Sequence, residues 1–140
     1  MTTVVRHTDL PARTWRMEPE SVRDAFGRAM RRRGERSLAA IMTTFGTSPE
    51  QTGRLFRVSR QAVDLWLKDG VPASRLGEVT RVAQAALALR RVFRLERIPD
   101  IVRGLLPGLG DRSILATIAS DGPRPVLELL DRLTSYVPAA

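Results

Sequence analysis

The chain has 140 residues, the size of one domain or of two very small ones, and 43% of them are apolar, enough for a packed core. It has no cysteine, which excludes disulfides and thiolate metal sites. Its net charge of +8 is uneven: residues 1–97 hold 19 basic and 10 acidic side chains, whereas residues 98–140 hold 4 and 5. A basic front part and a nearly neutral back part favour a polyanion-binding unit joined to a second unit with another role.

No apolar run approaches the roughly 18 residues of a membrane span, and residues 1–16 lack the apolar core of a secretory leader. We therefore expect a cytoplasmic, nucleoid-associated protein without a membrane partner. His7 is the single histidine, and Asp100, Asp111 and Asp121 stand in separate segments as caps and turn residues. We expect no catalytic residue, no metal site and no cofactor, and hence no enzyme.

Residues 1–17 show no clear periodicity and predict an N-terminal arm. The next segment predicts a helix over residues 18–33 that ends at Gly34, with Val22, Phe26 and Met30 on one face. Further helices are predicted, from their caps and apolar spacing, at residues 37–45, 48–56, 59–69, 74–95, 99–106, 112–119 and 124–136.

No segment alternates with period two, so the predicted fold is all-α. A DNA-binding helix-turn-helix bundle is expected over residues 18–97, followed by a small helical association domain over residues 98–140. The helix-turn-helix falls on residues 49–68, PEQTGRLFRVSRQAVDLWLK. Gly53 provides the small residue that a close crossing of two helices requires. The apolar anchors on the two helices and their turn are Leu55, Phe56, Val58, Val63 and Trp66.

The second helix of this motif, capped by Ser59, is the expected major-groove reader of double-stranded DNA. Its exposed set is Ser59, Arg60, Gln61, Asp64 and Lys68. Arginine can bond guanine through two hydrogen bonds and glutamine can do the same with adenine. Lys68, Arg54 and Arg57 are better placed for phosphate. Trp66 is interpreted as a core residue, and an ordinary α-helical hairpin without DNA affinity remains the alternative.

The run Arg31, Arg32 and Arg33 has two open interpretations: a phosphate clamp or a solvated helix end.

Residues 55–72, LFRVSRQAVDLWLKDGVP, resemble the Xre/Cro-type helix-turn-helix family. That family usually has glycine in the turn, where this chain has Arg57. A left-handed arginine there costs roughly 1 kcal/mol.

The back part, residues 98–136, resembles the toxin-binding domain of Xre/MbcA/ParS-type antitoxins. The likeness lies in the order of an apolar linker helix, a glycine-rich bend, a short helix, a Gly/Pro break and a final amphipathic helix. Short phrases also match, such as residues 112–115 (RSIL) and 126–130 (VLELL). The resemblance implies an antitoxin that neutralises a RES-domain toxin, which destroys NAD, and that often represses its own operon.

The last helix carries a wide apolar face, with Leu127, Leu130, Leu133 and Tyr136 as the expected partner-binding residues. This face could bury in the protein's own core, in a homodimer interface or against another protein. The sequence predicts a DNA-binding transcriptional regulator that forms a homodimer on DNA, and the resemblance implies that this regulator is an antitoxin. The alternatives are a stand-alone or phage-type repressor whose back half only dimerises, and a protein-interaction module that has lost DNA binding.

Overall fold

The computed structural model describes residues 19–135, where the regular elements are helical, which confirms the predicted all-α fold. The predicted arm at residues 1–17 and Tyr136 lie outside the described residues. The helices are α1 (Pro19–Phe45), α2 (Pro49–Phe56), α3 (Arg60–Asp69), α4 (Ala73–Val92), α5 (Ile98–Ile101), α6 (Ile114–Asp121) and α7 (Arg124–Ser135).

The predicted stop at Gly34 is wrong, because α1 continues through this residue to Phe45. Gly34 is buried, and a Cβ there would lie 2.7 Å from Leu76 Cδ1 and 2.9 Å from Val71 Cβ. The glycine therefore serves close packing of α1 against its neighbours. A glycine selected for close approach and one selected for helix termination look the same in sequence.

The apolar face predicted for the first turns of α1 is largely exposed to solvent. Val22 is 48% exposed and Phe26 is 67% exposed, while Met30 is half-buried. Attachment to the bundle begins near Arg31, whose carbonyl accepts a hydrogen bond from the Val71 amide at 3.4 Å. Beyond this point towards its N-terminus, the helix lies outside the core of the described residues.

Helix α4 is the central element, because it packs against both α1 and α7. Its buried side chains include those of Val79, Val82, Ala86 and Leu89. The helix ends at Val92 instead of residue 95, since Phe93 takes an extended conformation with φ −122° and ψ 156°.

The segment after α4 is less helical than predicted. A 3₁₀ turn at Leu95–Arg97 leads into α5, which is only four residues long, and a second 3₁₀ turn covers Pro107–Leu109. Leu106 is extended and forms an isolated antiparallel bridge with Arg112. The predicted helix at 99–106 is thus shortened by the turn that brings α6 back onto the bundle.

One apolar cluster runs through the described chain from Leu38 on α1 to Leu130 on α7. Helix α2 contacts α6, and α5 contacts α1, so packing is continuous across the predicted boundary at residues 97/98. Arg103 adds hydrogen bonds between the two parts, since its guanidinium donates to the carbonyls of Phe45 at 2.8 Å and Gly46 at 2.9 Å. The end of α1 is therefore capped by a residue of the back part.

Candidate nucleic-acid interface

Helices α2 and α3 both begin at serine caps. The Ser48 hydroxyl accepts from the Gln51 amide at 3.2 Å, and the Gln51 side chain accepts from the Ser48 amide at 3.0 Å, which completes a capping box. The Ser59 hydroxyl accepts from the Ala62 amide at 3.1 Å. These caps fix the first turn of each helix, so the start of α3 has a defined position.

The turn between α2 and α3 is tight. A Cβ on Gly53 would lie 2.7 Å from the Val58 carbonyl oxygen, so only glycine allows this approach. Val58 itself donates its amide to the Gly53 carbonyl at 2.8 Å. Arg57 adopts the left-handed conformation, with φ 57° and ψ 43°. The conformation expected for the family's usual glycine is therefore present, with an arginine in its place.

Trp66 is only 6% exposed, which confirms its interpretation as a core residue. Its ring meets the Phe56 ring edge-on, with centroids 6.1 Å apart and an interplanar angle of 67°. The Arg75 guanidinium carbon lies 5.9 Å from the centroid of the Trp66 ring and the same guanidinium donates to the Phe56 carbonyl at 3.3 Å. The inner side of α3, anchored also by Val63, is thus held firmly against the bundle.

The predicted DNA-contacting residues of α3 and its cap are all exposed, with Arg60 and Gln61 predicted for bases and Lys68 for phosphate. They are Ser59, Arg60, Gln61, Asp64 and Lys68. Arg60 Nε lies 3.8 Å from Asp64 Oδ2, with both side chains more than half exposed. Such a surface pair contributes little to stability, so both groups can exchange it for contacts to a ligand. Asp64 also reduces the local positive charge beside Arg60.

The three arginines of the run at residues 31–33 of α1 are exposed but differ in surroundings. Arg32 lines an open groove of about 510 Å³ together with Glu35, Arg36 and Lys68. Arg31 instead lies beside Gly70, where its backbone closely approaches the chain after α3. The groove joins α1 to the end of α3 as one cationic surface. Arg36 was missed in the sequence because it stands outside the Arg31–Arg33 run, although the pattern i, i+4 from Arg32 places it on the same helix face.

The two arginines expected at phosphates near the turn also differ. Arg54 is exposed and pairs with Glu50 at 3.1 Å on α2. The Arg57 guanidinium donates to the Ala119 carbonyl at 2.7 Å and lies 3.6 Å from Glu78. Arg57 therefore holds the turn against α6 and α4, a long-range contact that its position in the sequence does not reveal.

Of the expected partner-binding residues, Leu130 is 4% exposed, Leu127 is half-buried and Leu133 is 49% exposed. The Leu130 side chain therefore lies in the protein's own core. Leu133 lies at an apolar cavity of about 200 Å³, with Leu89, Phe93 and Leu129 among its lining. Of the described part of the expected face, Leu133 and one side of Leu127 remain accessible.

An ion pair joins the loop before α6 to the last residue of that helix. Arg112 Nη2 donates to Asp121 Oδ2 at 2.6 Å, and Arg112 Nη1 donates to the Ser120 hydroxyl at 2.9 Å. Hydrogen bonding from Arg112 and then from Ser120 lowers the pKa of Asp121 below its ordinary value, and the same pair raises the pKa of Arg112. Asp121 was predicted to be a cap or turn residue, but it is the last residue of the helix, and Gly122 takes the C-cap position.

Residues 19–135 contain no cluster of three or more histidine or acidic side chains able to hold a metal ion. Within the same range no helix is long and apolar enough to cross a membrane.

Comparison with known proteins finds the fold but no sequence family. No family model matches the chain, and no curated protein matches it. Among solved structures, the chain is similar to the antitoxin of the M. tuberculosis MbcT-MbcA toxin-antitoxin complex, with a TM-score of 0.62 and 20% identity. The match covers 75% of this chain and 96% of that one. The chain therefore has an antitoxin-like, all-helical fold.

Proposed function

We propose that the protein is a DNA-binding antitoxin that represses transcription, including that of its own operon. The observation that carries the DNA-binding part is the division of α3 into two sides. Val63 and Trp66 are buried, whereas Arg60, Gln61 and Lys68 are exposed. A capped helix that is anchored on one side and offers guanidinium and amide groups on the other suits the major groove.

The charge around α3 supports the same proposal. The groove lined by Arg32, Arg36 and Lys68 continues the exposed side of α3 with further cations. Phosphate contacts supply much of the affinity of such proteins and fix their orientation on the duplex. We propose that Arg32 and Arg36 contact phosphates and that Arg31 and Arg33 add to the field of this surface.

The antitoxin part rests on the likeness in fold to a chain of a toxin-antitoxin complex. Together with the sequence resemblance of residues 98–136, it supports a toxin of the RES type as partner, an enzyme that destroys NAD. Leu133 and the accessible side of Leu127 are the apolar groups that α7 offers to such a partner.

The second candidate is a stand-alone repressor whose back part mediates homodimerisation. The exposure of Leu133 favours it equally, because an apolar surface leucine suits a second copy as well as a toxin. In either case a dimer on two half-sites about one helical turn apart is proposed.

Selection of binding sites from a random-sequence duplex library tests DNA binding. We expect the full-length protein to enrich a sequence with two related half-sites. Affinity for that duplex should fall steeply with salt, since each neutralised phosphate adds about 0.9 to the log–log slope. Failure to enrich any sequence, or a flat salt response, would contradict the proposal.

Co-expression tests whether this chain neutralises a RES-type toxin. We expect the product of a RES-type gene that neighbours the gene for this chain to stop growth and deplete cellular NAD. Co-expression of this chain should restore growth and the NAD level. Unchanged toxicity would reject the antitoxin part and leave the stand-alone repressor as the better account.

A further inference from the structure

Leu65 is an exposed apolar residue at the edge of the polar side of α3. Its side chain is 56% exposed. Because α-helical residues advance by about 100°, Leu65 lies about 40° from Gln61 and about 60° from Lys68 around the helix axis. Val63, which is fully buried, lies about 160° from Leu65. Leu65 therefore points away from the bundle, next to the strip that Gln61 and Lys68 form, and along the helix axis it lies between those two proposed DNA contacts.

This placement limits what Leu65 can contact. It contributes nothing to the inner side of α3, where Val63 and Trp66 supply the anchors. If α3 enters the major groove, Leu65 enters it too, with Gln61 about one turn before it and Lys68 about one turn after it along the helix. The base edges in that groove offer donors, acceptors and one apolar group, the 5-methyl of thymine.

We propose that Leu65 packs against the 5-methyl group of a thymine and is a specificity-determining residue of the interface. This inference rests on the proposed DNA binding and adds a base preference to it. Arg60 and Gln61 read hydrogen-bonding groups at the start of the helix, and Leu65 reads the methyl group one turn further along. The site should therefore contain a thymine close to the bases that contact Gln61.

Deoxyuridine tests the contact directly, because it differs from thymidine only by the missing methyl group. The probe is a fluorescein-labelled duplex that contains the sequence that the protein selects from the random library. In a series of such duplexes, one thymine at a time is replaced by deoxyuridine. Each half-site should contain one thymine whose single replacement weakens binding of the wild-type protein about fourfold, the loss expected for one buried methyl group. Leu65→Ala should bind the parent duplex more weakly and should be indifferent to that same replacement.

Leu105→Ala is the matched control, since Leu105 is 70% exposed but lies in the back part. It should keep the wild-type response to deoxyuridine. Wild-type protein that tolerates deoxyuridine at every position would overturn the inference while leaving DNA binding intact. A Leu65→Ala variant that keeps the sensitivity would also overturn it. Failure to enrich any duplex would overturn the proposed function and this inference together.

Discussion

Single residues decide the geometry of the turn between α2 and α3. Gly53 permits an approach that any side chain would obstruct, because a Cβ would meet the backbone oxygen of Val58 at 2.7 Å. Backbone cannot move aside as the end of a flexible side chain can. Arg57 holds the left-handed position, and its hydrogen bond to Ala119 offsets the roughly 1 kcal/mol cost of that conformation.

Gly53→Ala should destabilise the protein by about 1–3 kcal/mol, as expected for overpacking at a rigid contact. Gly77→Ala is the matched control, because Gly77 is an exposed residue of α4 whose Cβ would meet only Arg81, at 3.9 Å. That variant should be stabilised by about 0.4–1 kcal/mol. Urea unfolding measures both, and equal effects of the two substitutions would contradict the close-approach explanation.

At the scale of elements, the pair Arg112–Asp121 joins the loop before α6 to the end of that helix. The pKa of Asp121 is lowered in the folded protein, so its charged form is the one that the fold stabilises. The stabilisation is present above the ordinary pKa of an aspartate and is lost as the pH falls through the lowered value.

Asp121→Asn should therefore be less stable than wild type at neutral pH, and the difference should disappear in acid. Unfolding free energies measured by urea titration from neutral pH down to about pH 2 check this. The pair is exposed, so we expect a small effect. A difference that persists unchanged at the lowest pH would show that the carboxylate charge is not responsible.

The elements themselves were largely readable from the sequence. Serine caps at residues 48 and 59 marked the starts of α2 and α3, because a cap is a local hydrogen bond. The predicted helix end at Gly34 was wrong, because the role of this glycine is set by its contacts with Val71 and Leu76, which lie far along the chain. The exposed set on α3 followed from helical spacing, but Leu65 was missed because an apolar residue in a helix suggests core until its exposure is known.

At the scale of the whole molecule, the front and back parts share one core. The apolar cluster includes residues of α1, α4 and α7, and Leu130 belongs to it. The expectation that Leu130 binds a partner followed from apolar periodicity, which cannot distinguish a core contact from a partner contact. Only the three-dimensional arrangement of α4 and α7 separates the two.

Leu130→Ala should lower the stability of the whole chain by about 2–5 kcal/mol, in one cooperative transition. Leu133→Ala is the control on the same helix, and its effect should be smaller because that side chain is 49% exposed. Thermal unfolding followed by circular dichroism and by tryptophan fluorescence gives the measurement. Two separate transitions, with the signal of Trp66 unaffected by Leu130→Ala, would contradict a shared core.

The central claim is that the outer side of α3 reads bases in the major groove. Methylation interference tests it most directly, because dimethyl sulfate modifies guanine at N7 in that groove. On the duplex enriched by the protein, we predict that methylation of one guanine per half-site blocks binding of the wild-type protein. The variant Arg60→Ala should bind more weakly and lose that dependence. Binding that is indifferent to every N7 methylation, with Arg60→Ala equal to wild type, would contradict the account.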